Sequence, residues 1–183
     1  MEKSSFGLVQ IYWGNGKGKT TASLGLALRA LGRGFKVHLV QFMKGGIEGN
    51  SDFEEYGELA ALKKFENFSN KRFGVKKWVI GKPQKEHLEQ GKAALEYSKG
   101  IASSGKYDLI IIDEILYAVQ LGVVSENEVL VLIDSKAKNT ELVLTGSHKP
   151  FEKIFEKADL VTEVKKHKHP FDKGVPARLG LEF

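Results

Sequence analysis

Leu8–Trp13 is a short apolar run, rich in β-branched and aromatic residues, that stops at a glycine. The residues that follow, Gly14-Asn15-Gly16-Lys17-Gly18-Lys19-Thr20-Thr21, lead straight into a stretch with helical patterning. A buried strand that passes into a helix through a glycine-rich turn leaves few folds open. Glycines let the backbone turn sharply and aim several N–H groups at one point. The helix behind the turn adds its positive end. Together they form the setting of a phosphate-binding loop. Lys19–Leu31 carries apolar residues at Ala22, Leu24, Leu26–Leu28, Ala30 and Leu31, and Gly32 and Gly34 end it. Lys36–Phe42 reads as the next strand. Strand, loop, helix and strand make a βαβ unit with parallel strands and a right-handed crossover.

The alternation continues down the chain. Gln84–Ser104 reads as a long amphipathic helix, with Leu88, Ala93, Ala94, Leu95 and Tyr97 among its apolar positions. Tyr107–Ile112 is nearly all apolar, as expected of a strand covered on both faces. Glu126–Ala137 reads as a helix capped by Ser125. Glu141–Thr145 and Asp159–Val164 are further strands, separated by a short helix beginning near Pro150. The expected fold is α/β and P-loop NTPase-like (RecA-like). A mostly parallel sheet lies between helices in a three-layer α/β/α arrangement, in a single domain spanning residues 1–183. Gly45–Lys82 breaks the pattern: it is charged, punctuated by glycine, and carries Phe53, Tyr56, Phe65, Phe68, Phe73 and Trp78. A stretch of that length in a compact domain is expected to be functional or partly mobile. His167–Phe183 has no period and reads as a tail laid over the domain.

Composition narrows the chemistry. There are no cysteines, which excludes disulfides, thiolate metal sites and a cysteine nucleophile. Met1–Phe6 lacks the apolar stretch of a secretion signal, and no run approaches the ~18 apolar residues of a membrane span. A cytoplasmic protein without membrane contact is the expectation. The net charge of +5 is spread along the chain rather than gathered in a block. That fits solvation and a polyanionic small ligand better than a nucleic-acid surface.

In the loop, the whole of Gly14, Asn15, Gly16, Lys17, Gly18, Lys19, Thr20 and Thr21 is the expected nucleotide cradle. Lys19 is placed to reach the terminal phosphates, and the Thr20 hydroxyl to ligate magnesium (or manganese). The general pattern begins with a glycine at position 13, where this chain has Trp13. Asp113 and Glu114 follow the apolar strand Tyr107–Ile112, and carboxylates at the end of a neighbouring strand are candidates to hold the same metal. A phosphate cradle alone does not choose between hydrolysis, phosphoryl transfer and departure of the whole triphosphate.

Several separated stretches resemble one family, the ATP:corrinoid adenosyltransferases. The loop Gly14–Thr21 matches the family's extended loop, which also lacks the first glycine. Gly25–Ala30 contains Arg29, similar to the family's helix arginine near the nucleotide. Val40–Gly45, Ile112–Ile115, Leu144–Gly146, Ala158–Glu163, His169–Phe171 and Ala177–Phe183 resemble further family signatures, in order along nearly the whole chain. Many members have arginine where this chain has Ser147, so that guanidinium is either missing or supplied by Lys149, Arg178 or a neighbouring subunit.

The resemblance implies that a Co(I) corrinoid such as cobalamin attacks C5′ of ATP. The cobalt electron pair forms the Co–C bond, the C5′–O bond breaks, and triphosphate leaves. No base is needed. Lys17, Lys19, the loop amides and the metal would stabilise the leaving charge, with Lys19, Thr20 and Glu114 as the residues of the chemical step. It further implies that Phe73 and Trp78 displace the lower axial ligand of the corrinoid, that a reductase supplies the electron, and that the enzyme is a homodimer. His167 and His169 read as a solvated basic tail, and His38 as a packed strand residue. Two rivals make different predictions. A motor acting on nucleic acid needs stacking platforms. A small-molecule kinase needs a cluster of lid arginines, and Arg29, Arg33, Arg72 and Arg178 are scattered.

Overall fold

The computed structural model describes residues 6–45, 56–77, 79 and 81–182. Phe53 and Trp78, singled out in the sequence, lie outside the described residues. In chain order the elements are β1 (Val9–Trp13), α1 (Lys19–Gly32), β2 (Val37–Gln41), α2 (Gly57–Leu62), β3 (Phe68–Arg72) and α3 (Lys85–Ser103). Then come β4 (Leu109–Asp113), α4 (Ile115–Gln120), α5 (Glu126–Ser135), β5 (Glu141–Thr145), α6 (Glu152–Glu156) and β6 (Leu160–Glu163), with a 3₁₀ turn at Pro170–Lys173. The strands form one sheet in the order β3-β2-β4-β5-β1-β6. Every described pairing is parallel.

Alternation along each strand builds the two sides. Val37 and Leu39 of β2, Leu109 and Ile111 of β4, and Val143 of β5 pack with Leu24, Ala27 and Leu31 of α1 and Leu59 and Leu62 of α2. Their chain neighbours Val40, Ile110, Ile112, Leu142 and Leu144 pack on the other side with Ala94 and Leu95 of α3 and Val129 and Leu132 of α5. The three-layer α/β/α expectation therefore holds. β2, β4 and β5 are buried at every position, which is why their sequences run apolar without a polar face. α5 begins at Ser125, whose side chain accepts from the Glu128 amide while Glu128 reaches back, a reciprocal cap.

Three details add to the sequence reading. β1 and β2 are parallel but not neighbours, because β4 and β5 lie between them. The described residues of Gly45–Lys82 include α2 and the edge strand β3, paired with β2 from Val37↔Phe68 to Gln41↔Arg72. β3 reads Phe-Ser-Asn-Lys-Arg, and an edge strand needs no apolar run. α4 follows β4 after the single residue Glu114, too tight a junction for the sequence pattern to separate.

Candidate functional site

The C-terminal ends of β1, β4 and β5 and the start of α1 meet at one place. α1 has no capping side chain and no acid in its first turn, so its positive end is left for an anion. The loop is docked by its own backbone. The Gly14 amide donates to the Ser147 carbonyl at 3.1 Å, and the Gly16 amide to the Val164 carbonyl at 2.7 Å. Gly14 has φ 112°, and a Cβ there would run into the Val164 carbonyl, so only glycine fits. Trp13, in place of the usual first glycine, packs against Phe155 with ring centres 5.3 Å apart. The Asn15 side-chain oxygen accepts from the Lys166 amide at 2.9 Å, which ties the tail to the loop.

Lys19 curls over the loop and donates to the Gly14 and Gly16 carbonyls at 2.7 and 3.0 Å. Burial pushes its ammonium below the ordinary lysine value, against the pull of Glu114 and Asp113. Thr20 Oγ1 donates to Asp113 Oδ1 at 2.8 Å, so the hydroxyl and the strand-end carboxylate meet as expected. Asp113 is fully buried. It also accepts from Thr145 Oγ1 at 2.6 Å and from Gln41 Nε2 at 3.3 Å. Thr145 Oγ1 in turn accepts from the Glu114 amide at 3.0 Å. Burial, then the charge of Asp113, push Glu114 up to about 7, against Lys44 and Lys19. A carboxylate pair beside a threonine hydroxyl is a hard oxygen donor set. Magnesium at a polyphosphate takes one or two carboxylates and fills its remaining positions with phosphate and water. These residues fit that ion.

Met43, Glu114 and Ser147 have φ of 55°, 64° and 66°, and they are the non-glycine residues in the left-handed region among the described residues. They lie just beyond β2, β4 and β5. Such backbone costs on the order of 1 kcal/mol or more each and persists where function requires the geometry.

Beside Glu114 opens a cavity of about 360 Å³, walled by Phe42, Lys44, Phe73, Tyr117 and Val123 among others. Phe73 lines this cavity, with its ring 5.5 Å from that of Tyr97. His87 and Gln90 of α3 hold the cavity's outer strap: the ring Nε2 of His87 meets the Lys77 carbonyl at 3.1 Å, and Gln90 accepts from the Gly74 amide at 3.3 Å.

The remaining candidates divide. Thr21 is exposed on the first turn of α1. Lys17 turns to the tail, donating to the Leu181 carbonyl at 3.0 Å and pairing with Glu182 at 2.7 Å. Arg178 pairs with the same Glu182 at 3.1 Å, so one carboxylate brings Arg178 beside the loop. Arg29 is exposed in the last turn of α1, roughly three turns or about 15 Å along the helix from Lys19, and this chain does not bring it to the loop. His38 is buried between Ser69 and Tyr97, at 2.7 and 3.2 Å, and burial lowers it to about 4. His167 is exposed, and no group of three or more His, Cys, Asp or Glu could hold a metal among the described residues.

Sequence reasoning held Thr145 and Lys44 only as members of family signatures, without a role, and missed His148. Burial would lower Lys44, but Asp113 and Glu114, with Tyr56 and Glu58, more than offset it and hold the ammonium above its ordinary value. His148 packs on Tyr117 at 5.2 Å and is lowered by burial and then by Lys19. The available signal was position: each follows or ends a strand at the same edge of the sheet as Asp113.

No helix among the described residues is long and apolar enough to cross a membrane. The family model for ATP:corrinoid adenosyltransferase BtuR/CobO/CobP matches residues 5–183. The corrinoid adenosyltransferase of Escherichia coli K12 is 31% identical over 186 residues, covering 97% of this chain and 86% of that protein. Corrinoid adenosyltransferase CobA of Salmonella typhimurium is 30% identical over 186 residues, with the same coverage of 97% and 86%. An uncharacterised Nostoc protein, all2391, is 30% identical over 96% of this chain, which spans 48% of that longer protein.

Proposed function

The chain belongs to the ATP:corrinoid adenosyltransferase family, whose members transfer the adenosyl group of ATP to a corrinoid, and on that premise we propose how its residues divide the work. Gly14–Thr21 cradles the triphosphate. Thr20, Asp113 and Glu114 hold magnesium, which when bound would neutralise charge on the leaving triphosphate. Lys19 leaves its carbonyl partners for the phosphates, and Lys17 and Arg178 follow once the triphosphate displaces Glu182. Lys44, a half-buried cation drawn to Asp113 and Glu114, adds positive potential between the metal position and the cavity. The corrinoid enters the cavity beside Glu114, where Phe73 displaces its lower ligand; the family resemblance gives Trp78, outside the described residues, the same task. The protein thus supplies position and electrostatics, while the cofactor-like substrate brings the nucleophile.

The carrying observation is the adjacency of two unlike sites. The hydroxyl–carboxylate pair Thr20–Asp113, 2.8 Å apart, borders a cavity lined by both aromatic and polar side chains through the next residue, Glu114. Transfer from ATP to a second, larger substrate needs such a space beside the metal position, and its mixed lining of Phe42, Phe73, Tyr117 and Val123 with Lys44, Gln90 and Glu114 suits a macrocycle edged with amides. A cytoplasmic homodimer of one domain per chain, fed electrons by a reductase and binding neither membrane nor nucleic acid, completes the reading.

An anaerobic reaction of MgATP with chemically reduced Co(I) cobalamin tests it. Equal amounts of cobalt–carbon product and triphosphate are expected, both lost in Lys19→Ala. ATP binding with no such product, on either cobalamin or cobinamide, overturns the assignment.

A further inference from the structure

Two buried polar atoms have no hydrogen-bond partner among the described residues: Gln41 Oε1 and Arg72 Nη1. Buried polar groups are almost always paired, so each such atom calls for an explanation. The two are neighbours. Gln41 ends β2 and Arg72 ends β3, and the sheet pairs them directly, Gln41↔Arg72, with Asp113 opposite Gln41 on the other flank. Parallel strands in register place all three side chains on one face. It is the face of α1, because Val37, Leu39, Leu109, Ile111 and Phe68 at the alternate positions pack there.

The orientation of the Gln41 amide follows from Asp113. Its Nε2 donates to Asp113 Oδ2 at 3.3 Å, and a flipped amide would set its oxygen against a carboxylate. Oε1 is therefore a fixed, unmet acceptor. Arg72 Nη1 is an unmet donor on the neighbouring strand, at the position paired with Gln41. The group that satisfies both must donate to one and accept from the other. A hydroxyl does so with a single atom.

We propose that Gln41 and Arg72 form a subsite for a hydroxyl of the nucleotide sugar, an inference that rests on the loop holding ATP. Position selects a sugar hydroxyl over a structural water. The row Arg72–Gln41–Asp113 runs along the strand ends to Thr20, whose hydroxyl bonds Asp113. The next residues after Gln41 and Arg72 are Phe42 and Phe73, which point to the opposite face and line the cavity. A sugar lying across the ends of β2 and β3 has a hydroxyl gripped on one face and C5′ presented toward the acceptor on the other. The grip then fixes the angle at which C5′ is offered.

The test is equilibrium binding of MgATP, its 2′-deoxy analogue and its 3′-deoxy analogue to the full chain, by calorimetry without corrinoid. The wild type is expected to bind one deoxy analogue roughly tenfold or more weakly, because that analogue leaves buried groups unpaired. Arg72→Met and Gln41→Met should weaken ATP and leave that analogue unchanged, erasing the discrimination. Equal binding of all three nucleotides by the wild type overturns the proposal without any variant. So does discrimination that persists in both variants, or variants that lose only thermal stability, as a bridging water would require. Failure of ATP itself to bind refutes the underlying nucleotide reading instead.

Discussion

Replacing Thr145 with valine isolates what one hydroxyl does at the end of β5. Thr145 is fully buried. Its Oγ1 donates to Asp113 at 2.6 Å and accepts from the Glu114 amide at 3.0 Å. Valine has the same shape and neither bond. Loss of a hydrogen bond to a charged group costs about 1.5–3 kcal/mol. A stranded, part-buried amide adds about 1 kcal/mol or more, and the new methyl returns up to about 0.8 kcal/mol of burial. The net expectation is a destabilisation of about 2–4 kcal/mol, a large share of the 5–15 kcal/mol typical of a domain. Thr145→Ser keeps both bonds and loses one methyl, about 0.8 kcal/mol. Urea unfolding of the nucleotide-free chain reads the difference as a midpoint lower by about 1–2 M, for m of about 2 kcal/mol/M. If valine and serine variants unfold within about 0.5 kcal/mol of each other, the Asp113–Thr145–Glu114 linkage contributes nothing and the reasoning is refuted.

Lys19→Ala should lower kcat by about 10²–10³, the usual cost of one positioned donor to developing negative charge, and single-turnover kinetics will measure it. Gly14→Ala forces a Cβ into the Val164 carbonyl, so the loop must leave its dock; nucleotide affinity should fall tenfold or more by calorimetry. Phe73→Ala should leave the ATP dissociation constant unchanged while raising KM for the corrinoid; an equal loss in both would place Phe73 in the scaffold alone. His38 is held neutral, pushed down to about 4 by burial, whereas in the unfolded chain it protonates near 6.5. Between those values the unfolded chain binds the extra proton. This contribution is therefore intact above about pH 6.5 and lost as pH falls toward 4, by no more than about 3 kcal/mol. Urea unfolding at pH 7 and 4.5 should show a smaller acid loss in His38→Gln than in the wild type.

Much of this architecture is local, and local order was legible in the residues. Val9–Trp13, the glycines, and the periodicity from Lys19 onward specify strand, loop and helix, because backbone permission and side-chain period act over a few residues. Asp113 was found for the same reason: it ends an apolar strand. What the sequence could not display is order across the sheet. Nothing in Thr145, Gln41, Lys44 or His148 alone says that their strands converge on Asp113, Glu114 and Lys19, because strand order is set by which apolar faces are buried together. Arg29 illustrates the reverse: a residue sharing a helix with Lys19 lies about 15 Å from it, a separation fixed by helix geometry. The tail, too, looked like an appendage in the sequence, and only the folded chain sets Glu182 between Lys17 and Arg178. The sequence by itself determined the glycine loop between strand and helix, the covered strands and the acid that ends one of them. Tertiary structure decided which distant side chains share that acid, because hydrogen bonds and charges act through space and not along the chain.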